Sequence, residues 1–473
     1  MNFNGKISKI KNTLKNWSFR GLTLIGKITV IKSLALSQLV HVFNVVENND
    51  VYLDQIEEIF NDFLWDGKNN KIASKTLFGN KFEGGLDMTQ VHSFASSMKA
   101  RWIQKLLDNE YDDLWKRIML FELKPFGGCA IFNLNKLSLQ SVAARIEDPF
   151  LKNIIMIWSN VVREPDSFGE FLEQPIWNNT LIKSGNNLLR NPKLIKSNVI
   201  RIKDIFDNIT GDLKPENFFK RYDSNFHFIS HEGLSRAIPQ SWKDVIEENA
   251  PYNLNQCTNG FISKFKNSEK PSKFIYNILI SKIKESPLGI QGKWESREWF
   301  DNSLSWADIY LIPHNCTEDT RLKSFQYNIL MRAVYTNNKL FKANMHGTEL
   351  CSFCNTFSEN IEHLFFEYVK TRNLYFRLRD WIKEYTDIEI EINHNNMLFG
   401  IVSAIDSNTA LNNIIILAKK FIFIQRAKGK TELDFNGLKN YIKYRVNVEK
   451  YSLQNTGTNA FERKWHHFRN MLN

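Results

Sequence analysis

The stretch Gly5-Lys-Ile-Ser-Lys-Ile-Lys-Asn-Thr-Leu-Lys-Asn-Trp17 sets its apolar residues at helical spacing. Ile7, Ile10, Leu14 and Trp17 recur every three or four residues, so they share one face of a helix. Lys6, Lys9, Lys11 and Lys15 lie largely off that stripe, which predicts an amphipathic helix over 5–17. The same periodicity continues beyond the break at Gly21. Ile28, Ile31, Leu34, Leu39 and Val42 predict a second helix. Leu53, Ile56, Ile59, Phe60, Phe63 and Leu64 predict a third, ending near Trp65-Asp66-Gly67. Gly84 and Gly85 mark a turn, and Met98, Trp102 and Leu106 place another helix over 93–108. Residues 1–120 are therefore expected to form one helical domain of ordinary size.

Beyond it the pattern loosens. Residues 121–270 are broken by Pro125, Gly127-Gly128 and Pro192. Short helices are expected near 148–162, 217–222 and 240–248, and the alternation from Val199 to Ile205 suits a strand. Residues 271–345 turn helical again, with Ile275, Ile278, Leu279 and Ile283, then Leu322, Phe325, Ile329 and Leu330. A knuckle-like segment over 346–405 and basic closing helices over 406–473 complete a mainly α, multi-domain chain. Its irregular middle has room for short strands.

Composition excludes several classes. In 473 residues, 43% hydrophobic and 13% aromatic content is too apolar for a disordered chain. Five cysteines without a signal peptide make no disulfide framework and point to a reducing, intracellular compartment, cytoplasmic or nuclear. The most apolar stretch, Leu22 to Val46, is interrupted by Lys27, Lys32, Gln38 and His41, so neither a membrane span nor a membrane partner is expected. The net charge is +11, unevenly placed. Residues 1–46 carry seven Lys/Arg and no carboxylate before Glu47. Residues 419–473 carry twelve against four acids, and the middle is slightly acidic. Basic ends of this kind suit a polyanion, because each cation set on a phosphate releases a condensed counterion.

The sharpest motif is Cys351-Ser-Phe-Cys354 followed by Glu362-His363. Two thiolates three residues apart can grip one Zn²⁺ from a tight turn, and a histidine entering the next helix can return to the same ion. The fourth position, five residues after His363, is held by Tyr368, a poor ligand. His346 or Glu367 are the available substitutes. The alternative is a metal-free knuckle held by Phe353, Leu364 and Phe365. The turn-like Asn355-Thr-Phe-Ser that follows, where a helix would be needed, argues against a redox role for the cysteine pair. Cys129, Cys257 and Cys316 are isolated and are expected to act as small hydrophobes.

No catalytic constellation stands out. Tyr111-Asp112-Asp113 has the wrong spacing for a polymerase aromatic-x-Asp-Asp turn, and no phosphate-binding loop, nucleophile elbow or His-Glu-x-x-His pair occurs. His466-His467, beside Trp465 and Arg463, reads as an ordinary exposed tail, with phosphate contact as the alternative. In the C-terminal helix Lys439 and Lys443 share a face, with Lys450 beyond, and Tyr441, Tyr444 and Tyr451 interleave with them. The tyrosines either offer planes to bases beside cations for phosphates, or belong to the core while the lysines solubilise the helix.

Several motifs taken in order carry a resemblance. Asn16-Trp-Ser-Phe-Arg-Gly-Leu-Thr-Leu-Ile-Gly-Lys-Ile-Thr-Val-Ile-Lys-Ser-Leu34 resembles the segment after the polymerase palm in LINE-type (non-LTR) retrotransposon reverse transcriptases. Asp62-Phe-Leu-Trp-Asp-Gly67, Glu83-Gly-Gly-Leu86, Trp177-Asn-Asn-Thr-Leu-Ile-Lys183 and Ile238-Pro-Gln-Ser-Trp-Lys243 continue it. Arg321-Leu-Lys-Ser-Phe-Gln-Tyr327, Cys351-Ser-Phe-Cys354 and Ile361-Glu-His-Leu-Phe-Phe366 are similar to the family's zinc-binding region. The resemblance implies a thumb over 1–120 whose basic helices grip a template–primer duplex, a linking region, and a zinc- and RNA-binding C-terminal part. Lys6, Lys9, Lys11, Lys15, Arg20, Lys27 and Lys32, with Lys439, Lys443 and Lys450, are then the expected nucleic-acid contacts. It also implies a fragment of an RNA-directed DNA polymerase without palm or endonuclease, catalysing nothing alone. Its partners would be RNA and DNA, and no small-molecule substrate is inferred. A host-recruited nucleic-acid-binding or scaffold protein and a decayed reading frame are the alternatives.

Overall fold

The computed structural model describes residues 3–253, 260–402, 407–454 and 460–472. The chain is mainly α, 63% helical, and among the described residues the only strands are Lys183–Ser184 and Asn187–Leu188, paired antiparallel. By packing it divides into two interleaved units, each drawn from three stretches. One comprises Met1–Lys9, Leu36–Glu58 and Gln90–Ile283; the other Ile10–Ala35, Ile59–Thr89 and Lys284–Asn473. The five consecutive segments expected from the sequence follow the chain, whereas this division follows packing.

The first helix spans Phe3–Ser18, with Phe3, Ile7, Ile10 and Leu14 buried along one stripe. The third spans Asp50–Trp65 and stops where Asp66 and Gly67 adopt left-handed backbone conformations. The second is less regular than its spacing predicts. Leu24–Val30 is α-helical, Ile31–Ala35 widens to a π-turn, Leu36–Gln38 tightens to 3₁₀, and Val40–Val45 resumes. The helix expected over 93–108 is interrupted between Val91–Met98 and Ala100–Leu107. At the break, the buried Lys99 ammonium donates to the carbonyls of Val46 at 2.5 Å and Asn44 at 3.4 Å, which end another helix.

Among the described residues of the first unit, two apolar clusters stand out within the core. One surrounds Trp158, whose indole donates to the Phe132 carbonyl at 2.8 Å and whose ring meets Phe261 and Phe265. The other surrounds Trp177, which donates to Val199 at 2.7 Å, and Trp242, stacked on Phe171. Helices here start on polar caps: Asp148 accepts from Leu151 N ahead of Pro149–Ser159, and Asn135 accepts from Ser138 N. The strand expected over Val199–Ile205 does not form. A single bridge joins Pro175 to Arg201, and the Asp204 carboxylate accepts from Ile200 and Arg201 N–H, starting the short helix Ile202–Ile205. A capping carboxylate at that point outcompetes the alternating pattern. Asp113 likewise caps Leu114–Leu123, while Asp112 pairs with Arg117 in an exposed loop.

In the second unit Ser407–Ala427 packs with Trp306–Cys316, Thr320–Leu330 and Phe435–Gln454, and Phe435–Gln454 in turn meets Val369–Tyr385. The glycine pair of Glu83-Gly-Gly-Leu86 is a close-approach point. Gly84 has φ +85°, and a Cβ there would lie 2.9 Å from both Pro287 and Tyr310. The Gly84 carbonyl accepts from the buried Tyr327 hydroxyl at 2.9 Å. His466 and His467 are exposed as expected, while the helices that carry them are anchored by buried Trp465, Phe468 and Met471.

Candidate functional site

Cys351 and Cys354 sit in a tight loop closed by an antiparallel bridge between Leu350 and Ser358. Cys351 N–H donates to Phe357 O at 2.8 Å, and Asn355 N–H to Cys351 O at 2.8 Å, with Asn355 in the left-handed region. This turns both thiols to the same side. His363 lies one loop later at the start of a π-turn, His363–Glu367, its N–H held by the Asn360 side chain at 2.6 Å. The three ligand atoms all lie within 4.8 Å of one another, and Cys354 Sγ is 3.5 Å from His363 Nε2. A tetrahedral ion with bonds of about 2.3 Å to sulfur and about 2.0 Å to nitrogen sets such atoms about 3.5 Å apart. The cluster can hold a metal ion.

Its electrostatics differ residue by residue. Burial pushes the Cys351 thiol up to about 11. For Cys354 burial acts upward too, but hydrogen bonds from the N–H groups of Phe357 and Thr356 and from the Cys351 and Thr356 side chains together hold the thiol below its ordinary value. Burial lowers His363, against the opposing pull of Glu359, and so favours the neutral imidazole that a metal needs.

Among the described residues neither proposed substitute joins the three. His346 is exposed and its Nδ1 engages Thr348 O at 2.7 Å. Glu367 faces His394 Nε2 at 3.9 Å, and burial raises its carboxyl above the ordinary value. Tyr368 instead stacks flat on Phe353, with ring centroids 5.5 Å apart, and lies 6.0 Å from the His363 ring. Phe353, Leu364 and Phe365 are all buried, so the apolar support expected of a metal-free knuckle is present alongside the ligand cluster.

Two buried carboxylates frame the knuckle, and the sequence reading missed both roles. Glu359 accepts from Asn337 N–H at 2.8 Å, Ser352 N–H at 3.2 Å and Arg426 Nη2 at 2.6 Å. Arg426 comes from the long helix Ser407–Ala427 and also holds the Asn337 side chain at 2.7 Å. Glu362 pairs with Arg332 at 2.9 Å and Arg297 at 3.0 Å. The sequence offered a signal only for Glu362, which stands beside His363. The other cysteines behave as expected where described: Cys129 and Cys316 are pushed up to about 11 and about 12 by burial, and Cys257 lies outside the described residues.

The expected nucleic-acid contacts separate into two groups. Lys9, Lys11, Lys15 and Arg20 are exposed and Lys6 is half-buried; Arg20 lies over the Trp17 ring at 4.8 Å. Lys27 is a correction: it is buried, paired with Asp66 at 2.6 Å and bonded to Leu64 O at 3.2 Å, so its charge serves the fold. Lys32 is exposed, but its ammonium holds Asp87 O at 3.0 Å. In the C-terminal helix Lys439 lies over Phe435 and Trp381, Lys443 is half-buried, and Lys450 is exposed, 5.9 Å from the Phe461 ring. Tyr444 and Tyr451 are exposed, so they are not core residues; Tyr441 is half-buried against Phe421. Among the described residues, no helix is long and apolar enough to cross a membrane. No protein-family model matches the chain.

Proposed function

We propose that the protein binds nucleic acid, taking RNA and RNA/DNA hybrid, with no polymerase activity of its own, and that zinc occupies the Cys351–Cys354–His363 knuckle. One observation carries the binding: residues 1–46 contain no carboxylate, and Lys11, Lys15 and Arg20 keep exposed side chains. With no acid nearby in sequence to neutralise them, such cations present a standing field to phosphates. The ordered resemblance to the C-terminal part of LINE-type reverse transcriptases supports the same ligand class. Zinc is favoured by two sulfurs and one nitrogen at tetrahedral spacing. The purified chain should bind primed hybrid and RNA with log K falling about 0.7–0.9 per phosphate contact against log salt. With primed template, Mg²⁺ and nucleotides it should extend nothing. Salt-insensitive binding or none would overturn the first part, and extension that survives repurification the second.

A further inference from the structure

Within the helix Phe435–Gln454, Asn440-Tyr-Ile-Lys-Tyr444 and Asn447-Val-Glu-Lys-Tyr451 repeat one pattern, Asn-x-x-Lys-Tyr, seven residues apart. Seven residues are about two helical turns, with a drift of only about 20°, so the two copies lie on one face. Leu438, Ile442 and Val446 are buried on the opposite side and fix which face is outward. Tyr444 is 64% exposed and Tyr451 73%, while Asn440, Asn447 and Lys450 are exposed and Lys443 half-buried. Lys443 has no side-chain partner among the described residues. The helix's one carboxylate here, Glu449, turns inward to Lys464 at 2.6 Å and Asn413 at 3.1 Å. The outward face thus has parallel rows of asparagine, lysine and tyrosine with no acid among them.

We propose that this face binds single-stranded nucleic acid, each copy of the pattern taking one nucleotide: tyrosine stacks on a base, lysine meets a phosphate, and asparagine reaches a base edge. The inference rests on the proposed nucleic-acid binding and adds the site and the strandedness. A rise of about 10.5 Å separates the two tyrosines, about three times the 3.4 Å base step of a duplex. Two rings so spaced engage bases that are not stacked neighbours, which requires a splayed strand with open base faces. The acid-free lysine row favours this over a protein partner docking on the tyrosines.

The test uses the full chain with fluorescein-labelled oligouridylate and an RNA duplex of equal length, across a salt series. Tyr444→Ala with Tyr451→Ala should weaken single-strand binding about 5- to 100-fold per ring removed. The salt slope and duplex binding should not change. Tyr444→Phe with Tyr451→Phe should bind as the unmodified chain does. Lys443→Gln with Lys450→Gln should lower the single-strand slope by about 1.4, at about 0.7 per contact. Equal melting curves would show that these surface changes leave the fold intact. Undiminished single-strand binding by the double alanine variant would overturn this face and leave nucleic-acid binding elsewhere standing. No binding of either probe by the unmodified chain would overturn both.

Discussion

The two basic ends of the chain look alike by count and differ in use. Near the N-terminus Lys11 and Lys15 reach solvent without a side-chain partner among the described residues, and Lys27 alone of the seven cations in residues 1–46 is buried in an ion pair. At the C-terminus many cations are committed inside. Lys419 is fully buried and donates to Leu398 O at 2.8 Å, and Arg426 holds Glu359. Arg445 pairs with Asp319, and Lys464 with Glu449. Net charge therefore tracks solvent-exposed cations well at one end and poorly at the other. Under the proposed binding, what the C-terminus offers is a pattern, two lysines beside two tyrosines, rather than a surplus.

The contrast breaks most visibly at Arg426. Arg426→Met should destabilise the fold by about 3–5 kcal/mol, because it leaves the Glu359 carboxylate buried without its cation. Denaturant midpoints measure it; a loss under 1 kcal/mol would place Arg426 with the dispensable surface charges. The knuckle that Glu359 braces gives the next effect. Tyr368→Cys should raise zinc stoichiometry toward one and make melting chelator-sensitive, since each added thiolate feeds binding energy into folding. Equal, chelator-resistant melting of both forms would mean that Phe353, Leu364 and Phe365 hold the segment unaided.

Lys419 sharpens the contrast through pH. Burial pushes its ammonium down to about 7, below the ordinary lysine value, so between the two the unfolded chain binds the extra proton. Stability from this group therefore rises with pH above about 7, by at most about 1.4 kcal/mol per unit. The stability of the unmodified chain relative to Lys419→Met, followed from pH 7 to 9, should rise with that slope. A flat difference would show that Lys419 stays charged in place. The smallest effect belongs to the N-terminal end. Lys11→Ala with Lys15→Ala should change stability by less than about 0.5 kcal/mol. It should lower the hybrid-binding salt slope by about 0.7–0.9 per lysine. An unchanged slope would show that these lysines face only water.

Much of the helical fold was legible because long apolar stripes dictate it. The helices Phe3–Ser18 and Asp50–Trp65 fall where three-and-four spacing places them, and Ser407–Ala427 and Phe435–Gln454 fall within the closing helices expected over 406–473. Local polar chemistry was harder to read. Asp204 replaces an expected strand with a cap, and Lys99 sits at the break in a helix whose apolar spacing is continuous. In the knuckle the ligand spacing was visible, but the Arg426 brace was not, since nothing local ties it to Glu359. Lys27 misled because a lysine bound for an internal aspartate has the same letter as one bound for phosphate. Exposure of Tyr444 and Tyr451 followed only once Leu438, Ile442 and Val446 were seen to face inward.

The π-turn at His363–Glu367 works as a spacer. In a regular α-helix the residue four beyond His363 would stand over it, and that residue is Glu367. The wider turn, closed by Tyr368 N–H on His363 O at 3.0 Å, passes that station to the fifth residue. Regular α-helical winding through this turn, with no residue removed, would hand the station back to Glu367. Changing the residue and changing the winding are thus two separate dials on the same corner of the knuckle. One sets which chemical group stands there, and the other sets which sequence position is allowed to supply it.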